Sequence, residues 1–171
     1  ATNIGGYDYQ IELTAYRDTI GVPMGLVAAF NVFEQDTSGG WVSLFTSSVN
    51  YDTTSGGLMP SVITVYGVEV YTFIDTITMP GDGYYAISWD ECCRNGAIIN
   101  MSNPLSESMK LSTFLTVDSL NPNSSPSYTT PPVAYLPAHT LWQYNPLPFD
   151  PDGDSLAWHL DVPLSINSTV S

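Results

Sequence analysis

The stretch Tyr7-Asp8-Tyr9-Gln10-Ile11-Glu12-Leu13-Thr14-Ala15 decides the fold class, because every odd position is apolar or aromatic and every even one polar. Successive side chains of a strand point to opposite faces, so this period of two buries one face and wets the other. A helix needs its apolar residues three and four apart, and no window of a dozen residues in the chain keeps that spacing. Similar β-branched and aromatic runs follow at 27–34, 41–49, 62–78, 83–90, 111–118, 131–136 and 155–162. Turn chemistry separates them: Ser38-Gly39-Gly40, Ser55-Gly56-Gly57, Pro80-Gly81-Asp82-Gly83, Asn121-Pro122-Asn123 and Asp152-Gly153-Asp154. Short strands at this spacing predict an all-β sandwich, immunoglobulin-like or jelly-roll, with few or no helices. The 171 residues suit a single domain over 1–171, and the Asn-, Pro- and Ser-rich stretch at 119–128 marks a sub-boundary or one long loop.

The charge balance excludes whole classes of partner. Seventeen Asp and Glu stand against three cations, Arg17, Arg94 and Lys110, for a net charge of −14. A phosphate backbone requires clustered Lys and Arg, so nucleic acid is not a partner, and an anionic membrane surface is disfavoured for the same reason. Disorder, the other reading of high net charge, conflicts with 43% hydrophobic and 12% aromatic residues. No run approaches the about 18 apolar residues of a membrane-crossing helix, so direct membrane insertion is not expected. Ser and Thr supply 36 residues and Lys one, which points to an exported bacterial protein; the opening Ala1-Thr2-Asn3 reads as a piece cut from a longer chain. With so little internal countercharge, divalent cations are the first partner to suspect.

The strongest single motif is Asp150-Pro151-Asp152-Gly153-Asp154-Ser155-Leu156. Carboxylates at i, i+2 and i+4 around a Pro and a Gly put hard oxygen ligands on one side of a tight loop, a composition that suits Ca2+. Uncompensated, neighbouring carboxylates repel by about 1 kcal/mol in water and several times that where partly buried. An EF-hand does not fit: Ser155 stands where its sixth-position Gly belongs and Asp161 where its final Glu belongs, and Leu156-Ala157-Trp158-His159-Leu160 reads as a strand. A solvated acidic turn is the plainer reading.

The second constellation is Trp89-Asp90-Glu91-Cys92-Cys93-Arg94-Asn95-Gly96, which follows the strand Tyr84 to Trp89 and holds the only two cysteines. In an oxidising compartment the thiols pair with each other unless they reach another chain. Neighbouring Cα atoms lie about 2.9 to 3.8 Å apart, against about 4.4 to 6.8 Å for ordinary disulfides, so a Cys92–Cys93 bridge is unusual geometry of the kind found at ligand clamps. The alternative is two reduced cysteines buried as small hydrophobes. Asp18, closing Tyr16-Arg17-Asp18, either adds a carboxylate near Asp90 or forms an exposed ion pair with Arg17. The four tryptophans, Trp41, Trp89, Trp142 and Trp158, are expected mostly in the core. Zinc is not expected, since two adjacent Cys and the distant His139 and His159 match no usual ligand spacing. Catalysis is not expected either: neither His belongs to a nucleophile motif, no Gly-rich loop opens a helix, and Asp90 and Glu91, adjacent on a strand, face opposite ways.

Four stretches in order carry a family resemblance: Gly6 to Asp18 with its Tyr-Arg-Asp end, Tyr84 to Asn95 with Ile-Ser-Trp running into Cys-Cys-Arg-Asn, Ser127-Tyr128-Thr129-Thr130-Pro131-Pro132-Val133, and Asp150 to Leu156. The combination resembles modules of large secreted bacterial surface proteins, above all the calcium-dependent peptide-binding domain of giant repeats-in-toxin adhesins. The resemblance implies a calcium-stabilised sandwich at the bacterial cell surface, part of a long multidomain chain, that grips peptide or protein C-termini on other cells in adhesion and biofilm formation. It implies Asp18, Asp90, Glu91, Asp150, Asp152 and Asp154 as metal ligands, with Cys92, Cys93, Arg94 and Asn95 framing the pocket. Where some relatives carry a Cys after the first-strand Asp, this chain has Thr19, which removes another partner for the cysteines. A glycan-binding module and a calcium-rigidified spacer are the other readings.

Overall fold

The computed structural model describes residues 1–21, 23–51, the backbone of 61–63, and residues 66–132 and 135–165. The described residues form ten strands: β1 (Thr2–Gly5), β2 (Asp8–Asp18), β3 (Val27–Gln35), β4 (Trp41–Asn50), β5 (Ser61–Ile63), β6 (Val68–Thr78), β7 (Gly83–Glu91), β8 (Met109–Val117), β9 (Ser127–Tyr128) and β10 (Pro148–Phe149). A single 3-10 turn, Pro104–Ser106, is the only helical element among the described residues. Two four-stranded antiparallel sheets, β1-β2-β6-β5 and β4-β3-β7-β8, form the sandwich, and β9 pairs with β10 beside it. With the strands lettered A to G and β4 as C′, the sheets read A-B-E-D and C′-C-F-G, the immunoglobulin-like order rather than a jelly roll.

The period of two does what the sequence predicts. From β2 the inward positions are Tyr9, Ile11 and Leu13; they meet Tyr71, Phe73 and Ile77 of β6, Phe30 and Val32 of β3, Tyr85, Ile87 and Trp89 of β7, and Leu115 and Val117 of β8. Each such side chain contributes about 1.5–3 kcal/mol when fully removed from water. Tyr85 also fixes the β6–β7 corner, since its hydroxyl donates to the Gly81 carbonyl at 3.0 Å. A Cβ on Gly83, at the start of β7, would come within 3.1 Å of that ring, which would have to shift by a few tenths of an ångström to admit it. Burial raises the Tyr85 phenol pKa, and nearby Glu34 raises it further.

Several expectations are corrected. The run at 62–78 is two strands, not one. The run at 155–162 forms no strand, and of 131–136 the described residues 131, 132, 135 and 136 form none either. β1, β9 and β10 are short elements the periodicity misses, and Ser55-Gly56-Gly57 lies outside the described residues. Only Trp89 of the four tryptophans sits in the core. Trp41 packs on the outer face with Tyr84 and Phe114, ring centroids 5.5 and 5.7 Å away, while Trp142 and Trp158 are 47% and 54% exposed.

The chain after β8 behaves differently from the sandwich. Nine of the 13 prolines lie at or beyond Pro122. Proline lacks the N–H that a sheet interior needs, and the described residues of 119–165 accordingly form an irregular strap with only the β9–β10 pair among them. The strap is tied back to the sandwich: the Ser125 amide donates to the Ala1 carbonyl at 2.7 Å, the Asn3 amide to Ser124 Oγ at 3.1 Å, the Tyr135 hydroxyl to the Tyr66 carbonyl at 2.9 Å and the Lys110 amide to the Leu164 carbonyl at 3.2 Å.

Candidate functional site

The register sorts the candidate residues into two groups. Because β6 and β7 are joined by the short turn 79–82, the Thr78 and Gly83 ends lie together, and Asp8, opposite Thr78, lies with them. Asp18, Asp90, Glu91 and the cysteines therefore share the other end of the sandwich, on two different sheets. There Cys92 and Cys93 form a disulfide with each other, and both are exposed, not buried. Asp90 sits on the outer face of β7, opposite Lys110 on β8, and accepts a hydrogen bond from Asn31 at 3.4 Å. Glu91 is exposed at the strand end. Arg94 closes the base of its loop, its amide on the Glu107 carbonyl at 2.8 Å and its guanidinium on the Leu164 carbonyl at 2.8 Å. Asn95 turns the loop by accepting the Ala97 amide at 2.9 Å.

Asp18 caps the end of β2, its carboxylate accepting the Ile20 amide at 3.0 Å. Arg17 pairs across the strands with Glu69, and its guanidinium also reaches the Gly21 carbonyl. The hydrogen bond from Arg17 is the main cause that holds the Glu69 carboxyl below its ordinary value.

The Asp150 loop lies on the strap. Asp150 Oδ1 accepts the amides of Asp152 and Asp154 at 2.9 and 3.2 Å, and Gly153 turns the chain at φ 82°. Asp152 accepts the Ser124 amide and Asp154 the Asn123 side chain, so the loop is laid on 123–124. Each carboxylate keeps a second oxygen, Asp150 Oδ2, Asp152 Oδ1 and Asp154 Oδ1, that no hydrogen bond among the described residues engages. Ser124 is bonded to Asn3, which pairs with Tyr9 beside the Asp8 end, so this loop belongs to a different part of the molecule from Asp18, Asp90 and Glu91. Among the described residues no three His, Cys, Asp or Glu side chains gather in a metal-holding group. A cation at the Asp150 loop would thus complete its shell with carbonyls and water, as Ca2+ sites commonly do.

A third feature is a cavity of about 1190 Å³ between the sandwich and the strap. Its walls include consecutive residues of β2, Ile11 to Thr14, and of β8, Leu111 to Thr113, so it meets both strands edge-on. The strap closes it with Tyr128, Tyr144, Trp158 and a series of prolines. Tyr128 and Trp158 hold their rings 5.6 Å apart. Burial raises the Tyr16 phenol pKa, and Tyr144 and then Glu12 raise it further.

None of the ten residues expected to hold metal or frame the ligand lines this cavity, though Trp89, Trp158 and His159 do. Tyr128 and Tyr144 carry one signal in the sequence: large rings in a proline-rich stretch outside the alternating runs. Comparison with protein families, with curated proteins and with solved structures finds no match.

Proposed function

We propose that the chain is a calcium-dependent ligand-binding domain of a bacterial surface adhesin, a module of a long secreted chain that recognises short peptides on other cells by their free C-terminal carboxylate. The observation that carries the reading is the Asp150 loop: one turn pre-shaped by its own backbone, three carboxylate oxygens without partners, and a net charge of −14 around it. Calcium there supplies the missing positive charge and an open coordination position for an incoming carboxylate. Asp18, Asp90 and Glu91 offer carboxylates for a second ion beside the exposed Cys92–Cys93 bridge, with Arg94 and Asn95 shaping the loop that would border the ligand. A disulfide between exposed cysteines suits an extracellular location, and no helix is long and apolar enough to cross a membrane among the described residues.

The test is a peptide array with free and amidated C-termini, probed in calcium and in excess chelator. Binding that needs both calcium and the free carboxylate is the expected result; binding indifferent to both sinks the reading. A calcium-rigidified spacer is favoured by one specific observation, that the Asp150 loop ties one part of the strap to another, 123–124, next to where the strap is bonded to Ala1 and Asn3. In that case calcium raises the melting temperature and no peptide binds.

A further inference from the structure

Under the strap, β2 presents an open edge that faces the cavity. At one end of the β2–β6 ladder the Met79 amide donates to the Tyr7 carbonyl at 2.9 Å, and at the other the Thr19 amide donates to the Gly67 carbonyl at 3.0 Å. Residues along an antiparallel ladder alternate between bonding the partner strand and facing away from it. The odd positions of β2 therefore bond β6, and the N–H and C=O groups of Gln10, Glu12, Thr14 and Tyr16 point to the opposite edge. β1 covers the first part of that edge, with Thr2, its first residue, opposite Gln10. Among the described residues no hydrogen bond engages the outward backbone groups of Glu12, Thr14 or Tyr16.

The strap is held one strand further out. On the far side of β1 the Ser125 amide bonds the Ala1 carbonyl and the Asn3 amide bonds Ser124 Oγ. Past Ser125 the strap keeps to the rim of the cavity, which Pro126, Ser127 and Tyr128 line together with Glu12, Thr14 and Tyr16. No hydrogen bond joins 119–165 to β2 among the described residues. Neighbouring strands lie about 4.7–4.9 Å apart, so a strap that flanks β1 stands about two such steps from β2, and beyond Ala1 the cavity takes the place of the strand between them. On the inner side the cavity is walled by Leu13, Phe30 and Leu111, the first two belonging to the core. Its one carboxylate, Glu12, and the Ala1 amino group act on each other, so hydrogen bonding rather than charge distinguishes what fits.

We infer that the β2 edge at Glu12, Thr14 and Tyr16 takes an extended peptide of a partner protein as an added strand, antiparallel to β2, in line with β1 and beneath the strap. An open strand edge is a row of donors and acceptors whose spacing another extended backbone matches. Side chains of the added strand alternate: those opposite Glu12, Thr14 and Tyr16 face outward, and those between them meet Leu13, Phe30 and Leu111, so the peptide carries apolar residues at every second position. Five residues of such a peptide extend about 17 Å, enough to span Glu12 to Tyr16. The inference shares with the adhesin reading only the class of ligand, since it requires neither calcium nor a free carboxylate.

The experiment uses the full chain and pentapeptides acetylated and amidated at their ends, so that no free carboxylate takes part. The peptides have Thr at the first, third and fifth positions and Val, Leu or Phe at the second and fourth. They are titrated in calcium and in excess chelator, and amide hydrogen exchange is read residue by residue by NMR. The expected result is that a peptide binds under both conditions and slows exchange at the Glu12, Thr14 and Tyr16 amides at least tenfold. N-methylation of its third and fifth residues, whose N–H groups face β2, should weaken binding at least tenfold, whereas N-methylation of the second and fourth, which face the strap, should change it less than threefold. Thr14→Pro removes one outward N–H at a sheet edge, where proline is tolerated, and should weaken binding by the same factor while the β2–β6 amides stay protected. Slow exchange at the three amides in the free protein, protection that follows protein concentration alone and so marks a second copy, equal loss from both methylation patterns, or no binding by any of the peptides each overturns the inference. If the blocked peptides fail while free C-termini bind in calcium, the added strand is lost and the adhesin reading stands. If they bind while calcium and free carboxylates are irrelevant, the reverse holds.

Discussion

The sandwich and the strap use the same amino acids in opposite ways. Every buried apolar side chain lies at or before Val117, and of the described residues beyond it only Ser124 is buried. Yet the strap carries Tyr128, Tyr135, Trp142, Tyr144, Phe149 and Trp158, all exposed. In the sandwich an aromatic residue is enlisted by the alternation of a strand, which turns it toward a facing sheet about 10 Å away. The strap has no alternation because its prolines forbid one, and its rings stay at the surface, several of them as the wall of a cavity. An aromatic residue is thus structural where a strand turns it toward a facing sheet, and left at the surface where no sheet faces it, as for Tyr128 and Phe149 even within the β9–β10 pair.

The sharpest way to break this comparison is to truncate one ring on each side of it. Phe73→Ala, at 1% exposure in β6, should cost about 3–5 kcal/mol, a fall of roughly 10 °C in melting temperature for a chain of this size. A loss near zero would mean that the sheets do not share one core. Asp150→Ala removes the acceptor of two backbone amides; it should cost about 1 kcal/mol, as the loss of a helix cap does. Hydrogen exchange should then rise across 119–165 and leave β2, β6 and β7 protected. Uniformly faster exchange would show that strap and sandwich unfold as one unit.

Acid gives a smaller effect. Glu69 is held below its ordinary value first by the Arg17 hydrogen bond, and Asp36 first by that of the Ser38 hydroxyl, with the amides of Gly40 and Ser38 behind it. A carboxyl whose folded value is lowered stabilises the fold above its unfolded pKa and loses that contribution as pH falls through the folded one. Melting temperature should therefore drop on acidification below about pH 4.5, and Glu69→Gln with Asp36→Asn should flatten the drop. An unaltered acid limb would remove both groups from the account. The smallest effect belongs to Trp142→Ala, half exposed and stacked only on Tyr144 at 5.2 Å, which should change stability by less than about 0.5 kcal/mol in calorimetry.

The candidate site was legible in parts. The Cys92–Cys93 bridge was one of two readings that neighbouring cysteines left open, and the structure chose it over a reduced, buried pair, while the Asp150 turn follows from its Asp-Pro-Asp-Gly spacing, which is local chemistry. That Asp18 and Asp90 share one end of the sandwich while Asp150 lies elsewhere follows only from strand register, which the sequence does not print. The 155–162 run misled because its apolar residues suit a strand, but a strand needs a partner edge, and Trp158 is turned instead toward Tyr128.

By itself the sequence determined the all-β class, the inward face of β2, the position of the turns and the scarcity of countercharge, because periodicity, turn chemistry and charge are properties of neighbours along the chain. The tertiary structure alone decided which sheet each strand joins, that three of four tryptophans stay out of the core, and that Glu12, Tyr16, Tyr128, Tyr144 and Trp158 surround one cavity. Those are contacts between residues remote along the chain, such as Leu13 with Phe73 or Asn3 with Ser124, and their pairing is fixed only when two sheets close on a common core and the strap is hydrogen-bonded across their edges.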